Sequence, residues 1–203
     1  PTPPPFTDER VEFEVRRLDY KVDTESNISE WVESTDSIKI RVVETAAAAG
    51  KTKEMFMIEM DGKHYAGKSF FTLNSESVTE PSHEENLRYL KAEVAVQHMT
   101  SQTVARFNTA ATDSCVAIAP VKVAIPFILM VTEGPEAERA WLCDPLLSKT
   151  QTIKYSGMDT AGHHQEIYGS TCDAIAHFSL ADSSEYMVLV DIQGTTRYQC
   201  LSR

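Results

Sequence analysis

Asp191 and Gln193 stand in the run Val188-Leu189-Val190-Asp191-Ile192-Gln193-Gly194. Three apolar residues lead into an acid, then come Ile192, an amide and a glycine. A short apolar run bounded by turn residues reads as a buried strand. A carboxylate at the end of such a strand is costly unless it has partners. Residues two apart on a strand point to the same side. A carboxylate and an amide oxygen placed together could ligate a hard cation such as Mg²⁺, or the acid could take a proton from a hydroxyl. The same residues also fit a strand that ends in an Asx-type turn, with Gly194 supplying the bend. The heptapeptide alone leaves both readings open.

Lys68 is the second residue of chemical interest. It sits within Tyr65-Ala66-Gly67-Lys68-Ser69-Phe70-Phe71, an otherwise apolar strand. A lysine on the buried face of such a strand needs a carboxylate or a phosphate; on the other face it is simply solvated. Gly50-Lys51-Thr52 invites comparison with a phosphate-binding loop, but Thr45 stands where that motif needs its first glycine. The following Met55–Met60 reads as a strand rather than the required helix. His163-His164 lies in a Gly-flanked loop without metal partners at suitable spacing. The four cysteines, Cys115, Cys143, Cys172 and Cys200, form no CxxC pair and suit buried free thiols in a reducing, cytoplasmic compartment.

The elements that must hold these residues follow from pattern. Val11, Phe13 and Val15 alternate as a strand, and residues 23–37 read as a loop or short helix. Ile38, Ile40 and Val42 form a strand, Met55–Met60 another, and Asp61-Gly62 marks the hairpin turn into Tyr65–Phe71. Ser82 with Glu84 and Glu85 starts a long amphipathic helix that carries Leu87, Leu90, Glu93, Val94, Val96, Met99 and Phe107. Val116–Val123, Ile125–Val131 and Trp141–Leu147 read as strands, and Thr171–Leu180 as a helix. At 203 residues the chain can bury one core or two small lobes. Its net charge of −11 argues against nucleic-acid or anionic-membrane binding, and no apolar run reaches the length of a membrane span.

Val190-Asp191-Ile192-Gln193-Gly194, preceded by Ala174-Ile175-Ala176-His177-Phe178-Ser179, resembles the signature of the alpha-kinases, the atypical protein kinases. In that family a helix ends in a zinc-ligating histidine and the acid follows fourteen residues later, which is the separation of His177 and Asp191. The resemblance covers roughly Ile38 to Gly194. It implies an α+β, two-lobed kinase-like fold: an extension over 1–37, a strand-rich nucleotide-binding N-lobe with one long helix over 38–143, and a hinge and partial C-lobe over 144–203. It implies ATP, Mg²⁺ and a protein Ser/Thr substrate. Lys68 would hold the phosphates and Glu93 would orient it. Gly50 and Lys53 would stand at the Gly-x-x-Arg of the loop over the phosphates. Asp144 would take the hinge position beside adenine. Asp191 would accept the hydroxyl proton, Gln193 and Asp191 would hold Mg²⁺, and His177 would ligate zinc. Lys68 and Asp191 are expected to face one cleft.

Three departures accompany the resemblance. Gly67 replaces the alanine before the lysine, Ser156 stands where many members have Asn, and position 201 is Leu where a second metal-binding Asp is expected. The glycine-rich loop and the His/Cys-bearing terminal helix of the family do not precede Arg203, so Zn²⁺ is expected only where those ligands exist. A chain of this extent is expected to be weak or inactive as a kinase. A nucleotide-binding pseudokinase and a non-catalytic interaction module are the alternatives.

Overall fold

The computed structural model describes residues 10–23, 28–71, 81–146, 152–156 and 164–195. Pro1–Pro5, His163, Cys200 and Leu201 lie outside them. The strands are β1 (Arg10–Val22), β2 (Ser29–Glu33), β3 (Ile38–Val43), β4 (Ala48–Ala49), β5 (Lys53–Met60), β6 (Lys63–Phe70), β7 (Phe127–Val131), β8 (Ala140–Pro145), β9 (Thr152–Lys154) and β10 (Gln193–Thr195). The helices are α1 (His83–Asp113) and α2 (Ile167–Asp182). The chain divides into two units, Pro1–Val96 with Ile125–Leu146, and Gln97–Ala124 with Leu147–Arg203.

In the first unit the antiparallel pairings run β1-β3-β5-β6-β8-β7 and return from β7 to β1, so the sheet closes on itself. The N-terminal segment, expected as an extension, carries the strand that makes this closure. Val15 pairs with Ile38 on one edge and Val131 on the other. Residues 23–37, expected as a loop or short helix, contain β2. It pairs with the second half of β1, and Trp31 packs on Tyr20 with ring centroids 5.1 Å apart. The Asp61-Gly62 hairpin forms as expected. Both residues have positive φ, +50° and +69°, as a two-residue hairpin turn requires.

Period-2 geometry sorts the side chains of this sheet into two layers. Phe127, Leu129 and Val131 of β7 and Trp141 and Cys143 of β8 join Val15, Ile40, Val42, Phe56, Ile58 and Met60 in the interior cluster. Ile128, Ala140 and Leu142 point the other way and pack with Leu18 against Leu90 and Val94 of α1. Strands covered on both faces explain why β7 and β8 read as continuous apolar runs rather than alternating ones. Gly67 also follows from this packing. A Cβ there would overlap the Ile58 side chain and crowd Trp141. The helix begins with a reciprocal cap in which Glu85 N–H donates to Ser82 Oγ at 3.2 Å and Ser82 N–H donates to Glu85 Oε2 at 3.1 Å. Val96 and Met99, placed by pattern on the apolar face, are about half exposed, at 53% and 51%.

The second unit has its own core of Val104, Phe107 and Ile175, joined by Ile118, Val121, Val123, Phe178 and Leu189. Residues 116–123, expected as a strand, have no regular structure. Pro120 has no N–H to give a ladder, and Ala119 N–H donates instead to Thr171 Oγ1 of α2 at 2.9 Å. The Val188–Val190 run also departs from expectation. It is not a strand, and Val188 and Val190 are 50% and 47% exposed. Leu189 alone of the three joins the core, and its N–H donates to the buried Ser179 Oγ at 2.9 Å.

Arg106 of α1 grips Asp182 of α2 through Nε at 3.0 Å to both oxygens and Nη2 at 2.6 Å. The guanidinium hydrogen bonds hold the Asp182 carboxyl below its ordinary range, and Arg106 is raised by the same contact. A depressed carboxyl contributes stability that is present above its unfolded value, about 3.9, and is lost as pH falls through the folded one. Arg106→Ala is therefore expected to lower Tm at pH 7 by up to about 3 °C. Thermal unfolding followed from pH 7 to below pH 4 should show that gap closing. A gap that persists below pH 3 would contradict this account.

Candidate functional site

Lys68 lies near the end of β6, directly opposite Met55 of β5 and Leu142 of β8. It therefore points to the face that packs on α1, the face of Leu142 rather than of Trp141. Asp144 sits on the same face two residues along β8, opposite Ala66. Diagonal cross-strand neighbours of this kind are within reach of long side chains. Lys68 Nζ donates to Asp144 Oδ2 at 2.6 Å, with side-chain exposures of 35% and 24%. A half-buried ammonium in an apolar strand thus has its counter-charge.

Lys53 opens β5 opposite Phe70 on the same face. Its Nζ donates to both oxygens of Glu93 on α1, at 2.6 and 2.7 Å, and stands 5.2 Å from the Phe70 ring centroid. This corrects two expectations. Glu93, expected to orient Lys68, binds Lys53 instead, because the helix places its carboxylate beside the start of β5. Lys53, expected in a loop, is strand. Gly50 is held close to it, donating its N–H to Lys53 O at 2.7 Å across the β4–β5 turn. Asp144, expected as a hinge residue, is inside β8 and is engaged through its carboxylate.

The ends of β6 and β8 are joined by a residue the sequence did not single out. Asn86 of α1, 4% exposed, accepts from Phe70 N–H and donates to Ala140 O, each at 3.0 Å. A buried asparagine on a helix has no pattern that separates it from a solvated one.

Asp191 and Gln193 belong to the second unit. Asp191 has φ +56°, so the chain turns there, and Gln193 opens β10 opposite Lys154 of β9. Asp191 Oδ1 pairs with Lys154 Nζ at 2.6 Å, and both side chains are exposed. Ile192 fixes this turn. Its carbonyl accepts from Tyr155 N–H at 2.8 Å and its N–H donates to Ser156 Oγ at 3.0 Å. Ser156, which stands in place of an Asn, thus ties β9 to the acid-bearing turn. His164 Nε2 donates to Tyr155 O at 2.7 Å and the rings meet edge to face. His177 is exposed on α2.

Two thiols and a phenol are held protonated. Burial pushes Cys172 up to about 11 and Cys143 well above the usual thiol range, and it raises Tyr155 as well. Cys115, expected buried, is exposed. Among the described residues no three His, Cys, Asp or Glu side chains converge as a metal group. His177 therefore has no zinc partners among them, and the described residues do not fit zinc. Asp191 and Gln193 offer one carboxylate and one amide oxygen, donor types that a hard cation such as Mg²⁺ accepts. Among the described residues no helix is long and apolar enough to cross a membrane.

No curated protein matches the chain in sequence. Among solved structures it is similar to the apoenzyme alpha-kinase domain of myosin-II heavy chain kinase A, with TM-score 0.60 and 18% identity over 90% of this chain and 79% of that one. It is also similar to an alpha kinase from Entamoeba histolytica, with TM-score 0.62 and 18% identity over 92% and 72%. A third is the alpha-kinase domain of myosin heavy chain kinase A in complex with AMP, with TM-score 0.59 and 17% identity over 90% and 81%. Residues 43–201 match the model of the Alpha-kinase family, well over half of the sequence, and the chain belongs to that family.

Proposed function

We propose that this kinase domain binds ATP through the α1-facing side of its closed sheet and transfers the terminal phosphoryl group to a Ser or Thr hydroxyl of a protein. The observation that carries the reading is the Lys68–Asp144 pair, a half-buried ammonium whose carboxylate partner a phosphate can replace. Lys53 supplies a second cation on the same face. The similar myosin heavy chain kinase A domain is known in complex with AMP.

Phosphoryl transfer needs little covalent chemistry from the protein. Positioning and charge stabilisation do most of the work. Lys68 and Lys53 neutralise phosphate oxygens, and Glu93 holds Lys53 in place. Asp191 accepts the proton of the attacking hydroxyl, and the ion pair with Lys154 orients that carboxylate. Gln193 and Asp191 are the residues that would hold Mg²⁺, whose chemistry when bound is neutralisation of phosphate charge.

The test is thermal unfolding of the chain with ATP, with and without Mg²⁺, beside transfer of radiolabelled γ-phosphate to a serine-rich protein. Saturation at a hundred times Kd is expected to stabilise the nucleotide-binding unit by about 2.7 kcal/mol. No shift at millimolar ATP would reject the nucleotide reading. A shift without transfer would leave a pseudokinase.

A further inference from the structure

The β6–β8 ladder ends at Lys68↔Leu142. In the same register Phe70 would next face Ala140, but the strands do not pair there. The carboxamide of Asn86 stands between them, accepting from Phe70 N–H and donating to Ala140 O. Those two partners fix which end of the amide is oxygen and which is nitrogen. The wedge sits one face-repeat beyond Lys68. It also pins the first turn of α1, and Glu93 follows seven residues later on the same helix.

We propose that Asn86 is a positioning residue for the phosphate-binding lysines. Its amide stops the ladder immediately past Lys68 and so sets where the Lys68 ammonium meets Asp144. By anchoring α1 to the strand ends it also sets where Glu93 meets Lys53. The proposal rests on the reading of Lys68 as a phosphate-binding group. The task requires a donor and an acceptor on one short side chain. Alanine has neither, and an ionised aspartate lacks the donor. A protonated aspartate has the shape and both functions of the native amide.

The experiment is mass-spectrometric lysine acetylation of the full chain, at a temperature where each variant is folded by circular dichroism. Asn86→Ala is expected to raise the Lys68 labelling rate at least fivefold and the Lys53 rate with it, and to weaken ATP protection of Lys68 at least tenfold. Lys154, in the other unit, should keep its wild-type rate. Thr103→Ala, at a buried polar position of the same helix, controls for loss of stability and should leave the Lys68 rate unchanged. Asn86→Asp should resemble Asn86→Ala at pH 8 and return towards wild type near pH 5, corrected for the pH dependence of labelling in the wild-type chain. It carries the test should Asn86→Ala fail to fold. Folded variants whose Lys68 rate stays within twofold of wild type would overturn the proposal, as would an equal rise in Thr103→Ala. A wild-type chain in which ATP fails to protect Lys68 would count against the nucleotide reading instead, and the labelling rates without ATP would still decide the role of Asn86.

Discussion

Lys68→Met is expected to weaken ATP binding by roughly 10- to 100-fold, the worth of one charge-assisted hydrogen bond. It should lower phosphoryl transfer by a further factor of about 10²–10³, because a cation aimed at developing charge acts most strongly in the transition state. Methionine keeps the length and apolar stem of the lysine, so Leu142 and the sheet lose little packing. The complication is Asp144. It is only 24% exposed, and without Lys68 it becomes an unpaired carboxylate beside an apolar layer. Some stability will be lost through that carboxylate alone. Lys68→Met combined with Asp144→Asn separates the two effects. Stability should recover in the double variant, while ATP affinity and transfer should not. Isothermal titration with ATP, thermal unfolding and the radiolabel assay on all four proteins complete the cycle. Recovery of ATP affinity in the double variant would mean that Lys68 serves the fold and not the phosphates. Lys53→Met is a useful companion. It should cost affinity less, because Phe70 and Glu93 already engage the Lys53 ammonium at the start of β5.

What could be read from the sequence follows the range of the interaction that decides each residue. Asp61-Gly62 and Ser82 with Glu85 are local signals, and the β5–β6 hairpin and the start of α1 formed where those signals stood. Lys68 was legible because a lysine inside an apolar strand is conspicuous. Its partner was not, since choosing between Glu93 and Asp144 requires the register of β6 on β8 and the height of α1 above the sheet. β2 was missed because Trp31 and Val32 form a strand only by pairing with β1 and packing on Tyr20. The Val188–Val190 run misled in the opposite direction. Its apolar composition suggested a buried ladder, yet its one core contact is Leu189 and its backbone bond goes to Ser179 of a helix. Composition reports how apolar a segment is, not which neighbour satisfies its amides. Asn86, and the bond that Ser156 makes to Ile192, lay beyond reach for the same reason, because both act through one or two hydrogen bonds to residues distant in sequence.

Asp191→Asn is expected to lower transfer by roughly 10²–10⁴-fold, the usual worth of a positioned general base, while leaving Tm within about 2 °C of wild type. Asparagine is the informative replacement. Asp191 has φ +56°, a conformation that asparagine tolerates and alanine does not. Alanine would therefore mix backbone strain with the chemistry. The ion pair to Lys154 is exposed at both ends, so its loss carries roughly 0–1 kcal/mol and cannot account for inactivity through unfolding. The turn itself is held by Ile192 to Tyr155 and Ser156, contacts that the substitution leaves intact. ATP affinity measured without metal should be unchanged, since the nucleotide reading assigns that affinity to Lys68 and Lys53. Gln193→Ala should instead raise the Mg²⁺ concentration at half-maximal transfer and lower the maximal rate less, which distinguishes a metal-holding amide from a base. Transfer at the wild-type rate in Asp191→Asn would remove Asp191 from the reaction. A parallel loss of metal-free ATP affinity would mean that the variant has disturbed the fold and that its inactivity says nothing about proton transfer.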